Sequence, residues 1–194
     1  MKFETLPIAG AMKVSIERHA DHRGFFARTF CIDEFSAHGL PTAVIQSSMS
    51  YNAKAGTVRG MHFQWPPSRE DKLVRCVRGA IYDVLIDLRP NSPSYLQHVG
   101  VRLDDRNRDA VMIPHGVAHG FQTLVDDTEV FYQMTDRFAP DLANGFRWND
   151  RAFGIEWPLA EITIAPRDAD YPDFDRAAFE RELARHDDGA PRKS

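Results

Sequence analysis

The sequence predicts an all-β jelly roll with one short helix near the C-terminus. Short apolar segments of strand length recur at a spacing of about eight to twelve residues. Single glycines and prolines separate these segments, as is typical of strands joined by turns. The middle of the chain has none of the long helical patterns that an α/β fold requires between its strands. A jelly roll encloses an interior that can hold a small ligand, so the fold class itself favours a binding cavity.

Apolar and alternating runs place the predicted strands at residues 13–17, 24–30, 43–51, 57–63, 73–77, 80–88, 95–102, 110–113, 120–125 and 128–135. A short helix is predicted at residues 33–38. A second helix is predicted at residues 175–186, where Ala178, Phe179 and Leu183 fall on one face. The final residues, DDGAPRKS, are predicted to form a disordered tail. We therefore expect one domain over residues 1–175, followed over residues 176–194 by the C-terminal helix and the tail.

The predicted strand at residues 80–88 has two different faces. One face is wholly apolar and is assigned to the core; it consists of Tyr82, Val84, Ile86 and Leu88. The other face places Asp83 and Asp87 among large apolar side chains. Burying a carboxylate is costly unless it is paired or lines a polar cavity. The pattern leaves two interpretations open, an ordinary solvent-facing side or a face that lines a cavity.

Composition and charge exclude several classes of protein. With 194 residues, a net charge of −4 and a pI near 6.0, the chain lacks the strongly basic balance of a nucleic-acid binder. No run approaches the roughly 18 apolar residues of a membrane span. The N-terminal stretch carries charges where a secretory signal needs apolar residues, so we expect a cytoplasmic protein without a membrane partner. Cys31 and Cys76 lie far apart and are expected to be reduced structural thiols.

Two segments stand out for the placement of their histidines, RGMHFQ at residues 59–64 and IPHGVAHGF at residues 113–121. The second contains Pro-x-Gly-x-x-His, which resembles the second motif of the cupin superfamily. Metal-binding cupins have His-x-His in their first motif, whereas this chain has His62-x-Gln64, with Glu70 further on. An amide is a poor substitute for imidazole as a ligand of Zn, Fe or Mn. We therefore expect no metal site.

A histidine without a metal can act as a general base on carbon next to a carbonyl. Such chemistry also needs a carboxylate to orient the imidazole, a cation for the enolate oxygen and an acid that returns the proton. The candidates are Asp168, Lys72 and Tyr132. Each also has a purely structural interpretation, as a packed tyrosine or as a solvated charge near a turn. The chain has no glycine-rich phosphate loop, which disfavours kinases and dinucleotide-binding proteins.

The order of the motifs resembles that of the dTDP-4-dehydrorhamnose 3,5-epimerase family, the cupin-like epimerases of nucleotide-sugar biosynthesis. The likeness runs from about residue 3 to residue 175. It is carried by segments in matching order and spacing: DHRGFF (21–26), VRGMHFQ (58–64), KLVRC (72–76), DVLIDLR (83–89), SPS (92–94), IPHGVAHGF (113–121), WND (148–150) and GIEWP (154–158).

This resemblance implies a cupin-like jelly roll and a metal-free, cofactor-independent epimerase. Its substrate would be a nucleoside-diphospho-4-keto-6-deoxyhexose, inverted at C3, at C5 or at both. Residue by residue, the resemblance assigns the base to His62 and the orientation of that base to Asp168. Lys72 corresponds to the cation that stabilises the enolate oxygen at C4, and Tyr132 to the acid that protonates the opposite face.

The resemblance also implies substrate contacts. Arg23 and Arg59 correspond to diphosphate-binding positions, Phe26 and His119 to other substrate-contacting positions, and Asp83 falls in the family's cavity. The family is dimeric, with N-terminal residues of one chain reaching the partner's site, so we expect a homodimer.

Several expected substrate contacts depart from the family pattern. They are Arg28 (usually Glu), Ser48 (usually Asn, two residues after the matching Gln46), Phe138 (usually Tyr, stacked on thymine), Ala143 (aligned with Glu) and Arg167 (often Lys). Replacing a carboxylate by arginine reverses a charge in the binding region and alters what can bind there. Because the proton-transfer residues are intact, the resemblance supports the reaction class better than it supports the identity of the nucleotide.

One geometric condition concerns Arg59 and His62, which have opposite parity along a predicted strand. Both can reach one cavity only if the strand bends or ends between them. Gly60 lies between them and predicts a bulge there.

Two alternative functions stay open. The first is a metal-dependent cupin oxygenase or isomerase, which Gln64 in place of a histidine disfavours. The second is a sugar-nucleotide binding module without turnover, which the paired base and acid disfavour because binding alone requires neither.

Overall fold

Two six-stranded sheets, packed face to face, form most of the chain in the computed structural model, which describes residues 1–189. The strands are β1 (Lys2–Thr5), β2 (Met12–Ser15), β3 (His19–Asp21), β4 (Gly24–Phe26), β5 (Gln46–Asn52), β6 (Thr57–Gln64), β7 (Lys72–Arg78), β8 (Ala80–Asp87), β9 (His98–Asp104), β10 (Ala110–Ile113), β11 (Val117–Thr123), β12 (Thr128–Met134), β13 (Ala143–Gly145) and β14 (Thr163–Ile164). The helices are α1 (Ile32–Ala37), α2 (Pro166–Ala169) and α3 (Arg176–Gly189), with a 3-10 turn at Pro140–Leu142.

The order of the strands defines a cupin-like jelly roll and confirms the predicted fold class. The first sheet has the order β1-β2-β10-β7-β12-β5, and the second has the order β13-β6-β11-β8-β9, with β14 parallel to β6. The chain therefore crosses repeatedly from one sheet to the other, since β7, β10 and β12 belong to the first sheet and β8 and β11 to the second. Strands β3 and β4 form a separate hairpin.

The core between the sheets is built from alternate residues of the facing strands. The first sheet contributes Val74, Cys76, Val111, Ile113 and Val130, and the second contributes Ile81, Leu85, Leu103, Val117 and Phe121. These side chains fill the interior between the two sheets.

Two further apolar layers cover the outer faces of the sheets. Helix α3 packs Phe179 and Leu183 against the outer face of the second sheet, where Phe63 and Trp65 lie. Helix α1 buries Phe35 against the outer face of the first sheet. Among residues 1–189, no helix has the length and apolar character needed to span a bilayer.

Strand β8 settles the two interpretations of residues 80–88 against a solvent-facing side. Asp83 and Asp87 are fully buried, and Ile81 and Leu85 on the same face belong to the core between the sheets. Burial alone would raise the pKa of Asp87, yet its hydrogen bonds lower it below its ordinary value; they come from Arg89, Ser92 and Ser94. Both faces of β8 are covered, one by the core between the sheets and the other by the outer apolar layer that contains Val84 and Ile86.

Most predicted strands are observed with shifted ends. The prediction at residues 24–30 was too long because β4 pairs only with the short strand β3. The prediction at residues 120–125 started late because β11 pairs with β8 from Val117 onward. Strands β1, β3, β13 and β14 and helix α2 were not predicted. The predicted tail began too early, since α3 continues to Gly189; residues 190–194 lie outside the described part.

Candidate active site

Strand β6 brings Arg59 and His62 to the same cavity through an irregularity at Gly60. Its register against β11 shifts between the pairs His119–His62 and Phe121–Arg59, which confirms the predicted bulge. Gly60 has a φ of +130°, and a Cβ there would lie 2.5 Å from the Cα of Gly120. Only glycine fits this close approach of two backbones.

His62 and Asp168 form a hydrogen-bonded pair at the edge of the cavity. The Nε2 atom of His62 lies 2.8 Å from Oδ1 of Asp168, and Oδ2 of Asp168 accepts the Gly60 N–H at 3.2 Å. The carboxylate is buried in the short helix α2, which lies beside β6. Burial alone would raise the pKa of Asp168, but the hydrogen bond and charge of His62, the Gly60 N–H and Arg167 lower it below its ordinary value. Asp168 is therefore a carboxylate at neutral pH.

Lys72 is the first residue of β7 and lies on the face that carries Val74 and Cys76 into the interior. Its Nζ atom lies 3.0 Å from Oε2 of Glu70, two residues earlier. Both side chains are largely buried, with exposed fractions of 19% for Lys72 and 8% for Glu70. The pair therefore presents one cation and one anion to the cavity.

Tyr132 enters the cavity from β12, in the first sheet. Its hydroxyl lies 3.5 Å from the Ser50 Oγ on the neighbouring strand β5. Burial raises the pKa of Tyr132 above its ordinary value. The phenol is thus protonated at neutral pH and available as a hydrogen donor.

A second histidine–carboxylate pair lies deeper in the interior. The Nε2 atom of His119, on β11, lies 2.6 Å from Oδ1 of Asp83, on the neighbouring strand β8. His119 and Tyr132 meet edge to face, with ring centroids 6.3 Å apart. Asp83 was expected among the substrate contacts, but it is fully buried behind His119 and does not line the cavity. Asp83 therefore hydrogen-bonds His119 in the interior of this structure, and a direct contact with substrate stays a prediction.

One cavity of about 690 Å³ collects most of the predicted site residues. Its walls include nine of them: Gln46, Ser48, Arg59, His62, Lys72, Tyr132, Phe138, Arg167 and Asp168. Ala143 also lines it, so four of the five departing positions share this space. An adjoining pocket of about 300 Å³ reaches His119 and shares Arg59, His62, Lys72 and Tyr132 with the first.

Three predicted substrate contacts lie elsewhere. Arg23 and Phe26 belong to the β3–β4 hairpin, where Arg23 pairs with Asp21 at 2.6 Å and Phe26 is 77% exposed. Arg28 follows the hairpin and lies 3.3 Å from Glu34. None of the three lines the cavity within a single chain.

The cavity residue that the sequence analysis missed is Glu70, which it mentioned only while weighing a metal site. Its signal was available, because residues two apart in an extended segment point the same way and Lys72 was already a candidate. Gln64 also lines the cavity, where its Oε1 accepts the Ala139 N–H at 3.0 Å. Within residues 1–189, no three His, Cys, Asp or Glu side chains are grouped closely enough to hold a metal ion.

Fold and cavity together define the class of the protein. It is a cupin-like jelly roll whose cavity presents a histidine–aspartate pair, an ammonium group and a buried phenol. These are the groups that proton transfer to and from carbon requires.

The chain belongs to the dTDP-4-dehydrorhamnose 3,5-epimerase family, whose model matches residues 5–176. It is 36% identical over 173 residues to the dTDP-4-dehydrorhamnose 3,5-epimerase of Sinorhizobium fredii, covering 89% of each chain. It is 37% identical to the dTDP-4-dehydrorhamnose 3-epimerase of Streptomyces niveus, covering 88% of this chain and 82% of that one. The crystal structure of the Bacillus anthracis 3,5-epimerase, with TDP and PPi bound, superposes with a TM-score of 0.86 at 35% identity, covering 89% of this chain and 99% of that one.

Proposed function

We propose that this protein is an epimerase that inverts C3, C5 or both of a nucleoside-diphospho-4-keto-6-deoxyhexose. The observation that carries the proposal is the placement of His62, Asp168, Lys72 and Tyr132 around one cavity. Membership of the epimerase family supports the same reaction class. The substrate is taken to be of the dTDP-4-dehydro-6-deoxyglucose type.

His62 acts as the base in this proposal. Because Nε2 donates its hydrogen to the Asp168 carboxylate, the lone pair of the neutral imidazole is on Nδ1. Nδ1 removes the proton from the carbon next to the C4 carbonyl, and the C–H electron pair moves to form the enolate. Asp168 then stabilises the imidazolium without taking up the proton.

Lys72 and Tyr132 complete the reaction. The Lys72 ammonium neutralises the negative charge that develops on the C4 oxygen. Tyr132 delivers its hydroxyl proton to the carbon from the side opposite His62, which re-forms the ketone with inverted configuration. The two groups belong to different sheets, His62 to the second and Tyr132 to the first, and so flank a sugar bound between them.

The remaining cavity residues bind the nucleotide part. Arg59 is proposed to contact the diphosphate, since arginine suits bidentate phosphate recognition, and its Nε is held by Asn52 at 2.8 Å. Gln46, Ser48, Phe138 and Arg167 are assigned to the nucleoside end. The departures of Ser48, Phe138 and Arg167 from the family pattern bear on the choice of base.

A homodimer is part of the proposal. The β3–β4 hairpin holds Arg23 and Phe26 in solvent, away from the cavity of their own chain, with exposed fractions that leave both free to enter another copy. We assign both residues to the partner's site. Cys31 and Cys76 are both free thiols, which suits the cytoplasmic location that we propose.

Proton NMR in deuterated water tests the reaction class. We expect dTDP-4-keto-6-deoxyglucose to take up deuterium at C3, C5 or both with catalytic amounts of enzyme, and His62→Ala to abolish the uptake. The positions labelled separate a 3-epimerase from a 3,5-epimerase. Exchange that persists in His62→Ala would remove the base assignment, and no exchange with the wild-type protein would refute this substrate.

A further inference from the structure

A second carboxylate in the cavity, Glu70, has no part in the proton-transfer steps. Its side chain is only 8% exposed, and its Oε2 lies 3.0 Å from the Lys72 Nζ. Its Oε1 makes no hydrogen bond with residues 1–189. This oxygen is not sealed inside the protein, so it is accessible to a ligand. One carboxylate oxygen thus pairs with lysine while the other has no protein partner within that range, on a residue that lines the cavity.

The backbone around Glu70 is held in place by hydrogen bonds on both sides. Asp136 accepts hydrogen bonds from the Ser68 hydroxyl at 3.3 Å and from the Arg69 N–H at 3.1 Å. On the other side, the Asp71 N–H donates to Thr135 Oγ1 at 2.8 Å. A carboxylate fixed in this way is suited to recognising one defined position of a ligand.

We propose that Glu70 accepts a hydrogen bond from the hydroxyl on C3 of the sugar and so selects 3-hydroxy sugars over 3-deoxy sugars. The inference rests on the proposed function, in which Lys72 binds the C4 oxygen. The C3 hydroxyl is the neighbour of that oxygen, just as Glu70 is the neighbour of Lys72. An ionised carboxylate accepts hydrogen bonds and donates none, so it requires a donor at this position.

The negative charge of Glu70 is compatible with an enolate because Lys72 lies next to it. Without that ammonium, two anions close together would repel each other strongly in a desolvated site. The Lys72 ammonium therefore neutralises two anionic groups, the enolate oxygen that forms during the reaction and the carboxylate of Glu70 that is always present. A substrate without the C3 hydroxyl leaves Oε1 buried by the ligand and unpaired, which is costly.

The test compares deuterium exchange on a 3-hydroxy and a 3-deoxy nucleoside-diphospho-4-keto-6-deoxyhexose. For the wild-type protein we expect kcat/KM to be about tenfold to a hundredfold higher with the hydroxyl, the range for a hydrogen bond to a charged group. In Glu70→Leu the preference is expected to fall to within about threefold. Glu70→Gln keeps an acceptor without the charge and is expected to be intermediate. Arg69→Gln, an exposed neighbour, is the control that leaves the preference unchanged.

The ratio of kcat/KM between the two sugars distinguishes recognition of the C3 hydroxyl by Glu70 from a merely structural role of Glu70. If Glu70 served only to hold Lys72, its loss would slow both substrates equally and leave their ratio unchanged, and that result would overturn the inference. If Glu70→Leu does not fold, the ratio in Glu70→Gln decides in the same way. If the wild-type protein exchanges deuterium into neither of the two sugars, the proposed function is overturned, and this inference with it.

Discussion

Replacing Asp168 by asparagine is the sharpest test of the proposed base. The carboxylate accepts two hydrogen bonds, from the Gly60 N–H at 3.2 Å and from His62 Nε2 at 2.8 Å. Asparagine has one acceptor oxygen and one donor group in the same volume. It therefore cannot accept both hydrogen bonds from a side chain in the native position.

Either orientation of the introduced amide removes something that the reaction needs. If the amide oxygen binds Gly60, the NH2 group faces His62 Nε2, which must then be the unprotonated nitrogen. The hydrogen moves to Nδ1, and the imidazole cannot accept a proton from the sugar. If the amide turns around, its NH2 group opposes the Gly60 N–H, and a buried donor loses its acceptor at a cost of about 1–3 kcal/mol.

We expect Asp168→Asn to slow deuterium exchange about 10²- to 10⁴-fold, which corresponds to about 3–5 kcal/mol in activation free energy. The measurement is the initial rate of label uptake at C3 and C5 at neutral pH with saturating substrate. Asp170→Asn is the matched control, because Asp170 is exposed and lies two residues further along the same segment. Exchange by Asp168→Asn within about threefold of wild type would refute the proposed tautomer and the role of Asp168.

The same variant also has an expected effect on stability. The pKa of Asp168 is lower in the folded protein than its ordinary value of 3.8. Its ionised form therefore stabilises the fold fully above the unfolded pKa, and this contribution is lost as pH falls through the folded pKa. The difference in unfolding free energy between wild type and Asp168→Asn is expected to be constant near neutrality and to shrink below about pH 4. A difference that grows on acidification would contradict the assigned ionisation.

Three further outcomes are expected. Tyr132→Phe should keep the rate of deuterium exchange within about threefold of wild type while the rate of product inversion falls about 100-fold or more. Both rates are measured on the same NMR samples, with Tyr82→Phe as the control. Equal losses of exchange and inversion would count against Tyr132 as the acid. Gly60→Ala should lower the unfolding free energy by about 2–5 kcal/mol more than Gly24→Ala, because both glycines have φ near +130° but only Gly60 has backbone atoms in the way. Mixing inactive Arg23→Ala and His62→Ala chains should restore about a quarter of wild-type activity if each hairpin serves the partner, since half the dimers are mixed and each has one intact site; no recovery would place Arg23 in its own chain's site.

The sequence predicted those parts of the fold that depend on local pattern. Apolar and alternating runs are visible in the amino-acid order, so β10 was placed without error and β6, β7, β8 and β12 within about one residue at each end. Strands β13 and β14 gave no such signal because they are held mainly by pairing with β6. Helix α2 is only four residues long, and its position depends on packing beside β6.

The sequence predicted which residues form the candidate site better than it predicted how they are arranged. Motif order supplied the residues, but it could not show that His119 covers Asp83 or that Glu70 pairs with Lys72. Both contacts depend on which side chain fills a given space, which is decided by the folded interior. The bulge at Gly60 is an exception that the sequence did predict. In a regular strand Arg59 and His62 would point to opposite faces, so both can reach one cavity only if the strand is irregular between them.

The jelly roll itself accounts for inversion under the proposed roles. An enolate is planar, so a single acid–base group on one side can exchange the proton but returns it to the face it left. Inversion requires a second group on the other side, and two groups on one strand cannot flank a ring in this way. Here the base is on β6 and the acid on β12, strands of opposite sheets, and Lys72 lies on β7 beside the acid's strand. The cation therefore remains near the enolate oxygen whichever face is protonated, and the architecture separates charge stabilisation from the choice of face.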